Sequence, residues 1–224
     1  MTVLRDSELD PLLIELHEVS ERQIALMVAE HKRLQDEGVQ PDAAEVKHYM
    51  SDKFVALDRD KAEFCYQLCR ATNARRIVEA GTSFGVSTIY LAAALRDNIR
   101  TAGGTGFVIG TEYERDKVKA AEALFKRARL DGLIELREGD LRDTLQQIDS
   151  PIDFMLVDIW IDIALPALKL VYPHLKQGAI VICDNTDQYR SEYAEYFEFI
   201  NDPVSCFRTV TLPFKGGLEM SVRC

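Results

Sequence analysis

At 224 residues, 47% hydrophobic and 29% charged, the chain has the composition of one large globular domain, or of a domain with an N-terminal extension. Its net charge of −10, with no clustered Lys/Arg stripe, argues against a nucleic-acid partner. No apolar run is long enough to cross a bilayer, and the charged start MTVLRDSELDP lacks the apolar centre of a secretory signal. A cytoplasmic protein with no membrane partner is therefore expected.

Residues 9–36 carry Leu, Ile, Val and Met at spacings of three and four, which predicts one long helix or two short ones ending before Gly38 and Pro41. Residues 41–54 read as a short helix and a loop. Residues 58–72 open on an acid and place Phe64, Cys65, Leu68 and Cys69 at helical spacing, a second amphipathic helix. The five cysteines (Cys65, Cys69, Cys183, Cys206, Cys224) are an odd, scattered set, as expected of reduced thiols. Cys65 and Cys69 have no matching His/Cys pair elsewhere, so small buried thiols are a better reading than half a metal site.

From residue 75 the rhythm changes. RRIVEA, FVIGTE, LIELRE, IDFMLV and GAIVIC are five short runs rich in Ile, Val, Leu and Phe. Helix-like stretches separate them: STIYLAAALRD, RDKVKAAEALFKRARL, DLRDTLQQI and IALPALKLVYPHL. Strands alternating with helices imply right-handed crossovers, hence an α/β, doubly wound, Rossmann-like parallel sheet with helices on both faces. The tail breaks the pattern: FRTVTLP, FKGG and LEMSVR read as an antiparallel hairpin that closes one sheet edge.

The stretch VEAGTSFGVST, residues 78–88, is a strand, a glycine turn and a helix start. Such turns hold ligands at the carboxyl ends of parallel strands. Gly81 would permit a φ that a Cβ forbids, and Gly85 a close approach of backbone to a ligand or a neighbouring strand. The spacing is neither G-x-G-x-x-G nor a P-loop. Glu79, two residues before Gly81, would repel a pyrophosphate but suit the cationic ammonium and sulfonium of S-adenosylmethionine. Glu112 ends the second strand, where an acid accepts ribose hydroxyls. Asp140 ends the third, near an adenine edge. Each acid alone is more often a cap or a solvated side chain; on successive strand ends they favour S-adenosylmethionine.

A second group lies further on. Asp158 ends the fourth strand, and Asp184 and Asn185 end the fifth. Two carboxylates and an amide oxygen on one rim form a hard donor set suited to Mg²⁺, Ca²⁺ or Mn²⁺. Asp and Asn also cap turns and helices, so this reading leans on the upstream loop.

Taken in order, VEAGTSFGVST, GTEYERDKVKAAEALFKRA, REGD, VDIW, CDNTD and LPFKGGLEMSV resemble the metal-dependent O-methyltransferases of the catechol and caffeoyl-CoA type, over roughly residues 45–224. The resemblance implies a seven-stranded sheet whose last strand is antiparallel. It implies cofactor contacts at Glu79, Gly81, Ser83, Ser87, Glu112, Tyr113, Asp140 and Trp160, and metal ligation by Asp158, Asp184 and Asn185. One position departs: where the family commonly places a lysine general base, three residues after the first metal aspartate, this chain has Ile161.

The chemistry expected is therefore cation-assisted methyl transfer from S-adenosylmethionine to a hydroxyl of a small catechol- or phenol-like molecule. Asp158 is its central residue, with Lys53, His48 and Lys215 as candidates for the missing base. Two other readings stand beside it: cofactor binding with weak, altered or lost catalysis, suggested by Ile161, and a nicotinamide-dependent oxidoreductase, disfavoured by Glu79 and the glycine spacing. Residues 1–57 are expected to form a helical extension serving as substrate lid and contact of a homodimer, and residues 58–224 the catalytic domain.

Overall fold

The computed structural model describes residues 3–148 and 151–224. The chain opens with α1 (Leu9–Asp36), α2 (Ala43–Met50) and α3 (Arg59–Ala71). The α/β part follows as β1 (Arg76–Ala80), α4 (Val86–Ala102), β2 (Phe107–Glu112), α5 (Arg115–Arg127), β3 (Ile134–Glu138) and α6 (Leu141–Thr144). It continues through β4 (Ile152–Val157), α7 (Ile161–Val171), β5 (Leu175–Asp184), α8 (Ala194–Asn201), β6 (Phe207–Leu212) and β7 (Leu218–Arg223).

The seven strands form one sheet in the order β3-β2-β1-β4-β5-β7-β6. All pairs from β3 to β5 are parallel, and β7 runs antiparallel between β5 and β6. The order reverses between β1 and β4, and a sheet of this kind opens a crevice beyond the strand ends at that point.

Strand alternation divides the core in two. Ile77, Phe154, Leu156, Ile180 and Ile182 face the side covered by α3, α4 and the first half of α1. Val78, Ala80, Met155, Val157, Val181 and Cys183 face the side covered by α7 and α8. Side chains two apart share a face, so the buried run IDFMLV, apolar at every position but Asp153, serves both layers. The N-terminal helix joins this core directly: Leu9, Leu12, Leu13 and Leu16 are buried, and His17 Nε2 shares a 3.0 Å hydrogen bond with the Tyr90 hydroxyl. No residue of α1 beyond Ser20 is buried, so its second half extends past the sheet.

Several expectations needed adjustment. Of the two alternatives for residues 9–36, the structure has the single long helix. The helix expected over residues 163–175 stops at Val171, because Pro173 shifts the chain into a 3₁₀ turn. β5 consequently starts at Leu175 and is longer than GAIVIC. α6 is a single turn, much shorter than residues 140–148. α8 has no counterpart among the expected elements. The cysteines are free, and Cys65, Cys69 and Cys183 are buried. Among the described residues no helix is long and apolar enough to cross a membrane.

Phe154 is fully buried at the centre of the sheet. Phe154→Ala is expected to cost ~3–5 kcal/mol, the usual loss for deleting a buried ring, read as a shift in the urea unfolding midpoint.

Candidate active site

The loop between β1 and α4 is built by its own side chains and by the ends of neighbouring strands. Gly81 has φ +95°, and a Cβ there would run into the Asp158 carbonyl. Asp158 N–H donates to the Ala80 carbonyl at 3.0 Å, so the ends of β1 and β4 touch at this glycine. Gly85 has φ +87°, and its missing Cβ makes room for the Phe125 ring of α5 rather than for a ligand or a strand. Thr111 ties β2 to the turn, since its hydroxyl accepts from Gly81 N–H at 3.2 Å and donates to the Glu79 carbonyl at 3.1 Å.

Glu79 corrects the sequence reading. Its carboxylate is fully buried and turned into the loop, where it accepts hydrogen bonds from Thr82 (2.8 Å), Ser87 (2.6 Å) and Thr88. Burial pushes its carboxyl up from the ordinary value, against the pull of these three donors. Thr82 and Ser87 border the main cavity and Glu79 does not. Its charge therefore organises the backbone that faces the cavity; it is not presented to a ligand. The argument that Glu79 itself would repel a diphosphate fails with this geometry.

Glu112 does face the cavity. Its two oxygens accept from Ser83 N–H at 2.7 Å and Glu114 N–H at 2.8 Å. Each oxygen keeps a lone pair for a further donor such as a ribose hydroxyl. Ser83, at φ +49°, is bent into the left-handed region by this contact. Tyr113 is 70% exposed and Trp160 is 40% exposed, both along the cavity margin. Asp140 also lies there, but its carboxylate caps α6 through Arg142 N–H at 2.9 Å and pairs with the Arg142 guanidinium, which holds it down at about 2. What Asp140 offers a base edge is consequently limited by Arg142.

The oxygen set at the ends of β4 and β5 is brought together as expected. Asp158, Asp184 and Asn185 border one cavity of about 1260 Å³ that also reaches the glycine loop. Asn185 sits at φ +58°, and its N–H donates to the Gly217 carbonyl at 3.1 Å, so the hairpin before β7 positions it. Among the described residues no protein group donates a hydrogen bond to the Asp158 carboxylate, while burial and the charges of Asp184 and Glu79 push its carboxyl well up. An acid held in that field is suited to a cation. No group of three or more His, Cys, Asp and Glu side chains able to hold a metal occurs among the described residues, so Asn185 is needed to complete the set.

Sequence reasoning missed Lys61. It is 1% exposed, and its ammonium donates to Asp184 Oδ1 at 2.7 Å and pairs with Asp58 Oδ2 at 3.2 Å. Burial works against this charge, but the bond to Asp184 and the charges of Asp184 and Asp58 prevail and raise its pKa. The signal was present: Lys61 shares the buried stripe of α3 with Ala62, Cys65, Tyr66 and Cys69.

The candidate bases all come from segments that overhang the cavity. His48 and Lys53 lie in and after α2, and Lys215 lies in the final hairpin. Lys53 pairs with Asp52 and stacks 4.5 Å above the Tyr49 ring. Ile161 also borders the cavity, at the start of α7. Beside it, Lys47 of α2 pairs with Asp162 at 3.0 Å and sits 5.6 Å over the Trp160 ring, joining α2 to the α7 turn.

This sheet order, with β7 antiparallel, is the fold of the class I methyltransferases. Residues 78–186 match the methyltransferase domain family model. The chain is 29% identical over 145 residues to a catechol O-methyltransferase of Mycobacterium tuberculosis, a match covering 64% of this chain and 60% of that protein. Its fold is shared with an O-methyltransferase from Bacillus cereus in complex with S-adenosylhomocysteine (TM-score 0.67, 22% identity, 88% of this chain and 97% of that one). It is shared too with the O-methyltransferase TomG of Streptomyces achromogenes, in complex with S-adenosylmethionine (TM-score 0.66, 23% identity, 91% and 98%). These similarities bear out the resemblance to the S-adenosylmethionine-dependent O-methyltransferases of the catechol and caffeoyl-CoA type.

Glu79→Ala is expected to leave three buried hydroxyls without their acceptor. At about 1–3 kcal/mol for an unsatisfied buried group, the melting temperature should fall by several degrees even without ligand. An unchanged melting temperature would contradict the loop-organising role.

Proposed function

We propose that the protein transfers a methyl group from S-adenosylmethionine to a hydroxyl of a small, catechol- or phenol-like molecule. The observation that carries this reading is the single cavity joining the 81–87 loop, Glu112 and the Asp158/Asp184/Asn185 rim under a helical lid. The curated relative from Mycobacterium tuberculosis is named for the same chemistry, although the match spans about three fifths of its length, 60%.

In this reading the loop amides and the rim acid Asp158 receive the amino-acid end of the cofactor, Glu112 its ribose, and Tyr113 and Trp160 the flanks of its adenosine. The cofactor supplies an electrophilic methyl group. The chain supplies alignment: the loop fixes the donor while the rim and lid fix the acceptor, which is worth several orders of magnitude when both are held in line. The hard oxygens of Asp158, Asp184 and Asn185 fit a divalent cation, with Asp158 still lacking a partner. Such an ion supplies a lowered hydroxyl pKa and two-point fixation of adjacent oxygens.

Ile161 cannot accept a proton, so base catalysis falls to a lid or hairpin side chain. His48, Lys53 and Lys215 border the cavity and are the residues to test. A general base contributes ~10²–10⁴-fold, so losing the one that acts should lower kcat by that order and leave cofactor affinity unchanged. Ile161 alone favours binding with weak, altered or lost catalysis; the loop, Glu112 and the rim, which border one cavity, support transfer. Pairing of two copies through the exposed half of α1 belongs to the same proposal and is tested by sedimentation.

Calorimetry should give binding of S-adenosylmethionine and S-adenosylhomocysteine and none of NAD. Binding of NAD alone would refute the reading. Glu112→Gln should weaken S-adenosylhomocysteine about tenfold or more, the equivalent of one lost charge-assisted hydrogen bond. With a catechol panel, Asp158→Ala and EDTA should each reduce methyl transfer by at least two orders of magnitude. Activity indifferent to both would remove the cation from the mechanism.

A further inference from the structure

Lysine is among the residues least often found fully buried unless paired. Lys61 is 1% exposed, is paired twice, and sits directly behind a member of the rim. Its ammonium donates to Asp184 Oδ1, while Asp184 Oδ2 accepts from the side-chain amide of Asn185 at 3.0 Å. Asp58, the other partner, borders the same cavity as Asp158 and Asp184, whereas Lys61 does not. The ammonium is thus walled off from any acceptor molecule. It is a fixed charge beneath the site and cannot serve as the base that Ile161 does not provide.

Its effect follows from the charges around it. Asp58, Asp158 and Asp184 would present three negative charges at one end of the cavity, with Glu79 behind them. One permanent positive charge cancels one of these. Without it, Asp184 would be a buried carboxylate stable only when protonated or when bound to an external cation. With it, the rim stays assembled before any ion arrives.

We propose that Lys61 is a built-in counter-ion of the rim, making its assembly independent of divalent metal and holding metal affinity down. This rests on the reading of Asp158, Asp184 and Asn185 as a cation site and extends it to a residue outside the ligand set. A purely structural lysine and a counter-ion differ in sign. Removing a structural brace loosens the ligands and weakens metal binding. Removing a counter-ion strengthens the field on the metal and tightens binding, provided the ligands stay in place.

The test is Mn²⁺ titration followed by electron paramagnetic resonance, with no methyl acceptor present, on the wild type and on Lys61→Met, Lys61→Gln and Lys61→Arg. Both neutral variants should bind Mn²⁺ about tenfold more tightly than the wild type, and Lys61→Arg should match the wild type. Melting temperatures should rise with Mn²⁺ by several degrees more in the neutral variants than in the wild type. If a neutral variant folds only with Mn²⁺ present, the counter-ion role is likewise upheld. Weaker Mn²⁺ binding in folded neutral variants, or failure to fold with and without Mn²⁺, would overturn it and leave Lys61 as a brace. No Mn²⁺ binding in any form would remove the cation site itself. Binding of S-adenosylhomocysteine, measured separately by calorimetry, shows whether the methyltransferase reading survives that result.

Discussion

Like charges gathered at the carboxyl ends of β1, β4 and β5 are the constraint that shapes this site. Parallel strands that finish at one level bring their terminal side chains together, and here those include Glu79, Asp158 and Asp184. Two unit charges 4 Å apart interact by about 4 kcal/mol at an effective dielectric of 20, a large fraction of the stability of a typical domain. Each acid meets the problem differently. Glu79 is absorbed by three hydroxyls, Asp184 by the Lys61 ammonium, and Asp158 is left facing the cavity. The one acid without an internal solution is the one at the centre of the proposed chemistry, as expected if a ligand provides its compensation.

The fold was legible because its signals are local and repeated. Five apolar runs separated by helical stretches leave few topologies once crossovers are right-handed. Elements set by long-range contact were harder to read. That the last strand is antiparallel came from a resemblance, and its insertion between β5 and β6 was not read, since a hairpin signal does not say which of its strands pairs with the rest of the sheet. α8 went unread because its aromatic-rich sequence, AEYFEFIN, packs Tyr196 and Ile200 inward over barely two turns, too short for a period to stand out. The long α1 was read as a helix, but its buried first half and projecting second half depend on where the sheet ends.

The site shows the same division. Residue types at strand ends picked out a glycine loop and a rim that the fold brings to one cavity, because strand ends are where parallel sheets place ligands. Side-chain direction was beyond reach. A carboxylate two residues before a turn glycine is compatible with facing the ligand or facing the loop, and only the positions of Thr82, Ser87 and Thr88 decide between them. The hydroxyls were visible in VEAGTSFGVST, but Ser87 was assigned to the ligand and Thr82 and Thr88 to nothing, none of them to the acid. Lys61 was overlooked for the complementary reason. A lysine inside a helix is usually solvated, and its buried stripe became meaningful only with Asp184 on the other side.

Placement of charge and placement of backbone are coupled here by glycine. Gly81 brings the end of β1 against the Asp158 carbonyl, so that position fixes the loop and the rim in one contact. Gly216 does the same for the hairpin: its carbonyl accepts from Asp187 and Gln188 N–H at 3.0 and 2.9 Å, while an added Cβ would press on the Asn185 side chain. A residue with a Cβ at either position would displace the rim without altering any charge. The hydroxyls that hold Glu79, the ammonium that holds Asp184 and the two glycines that let strands and hairpin close together therefore act on one quantity, the distance between the loop face and the oxygen rim. That distance is what in-line transfer between a donor on the loop and an acceptor on the rim would require.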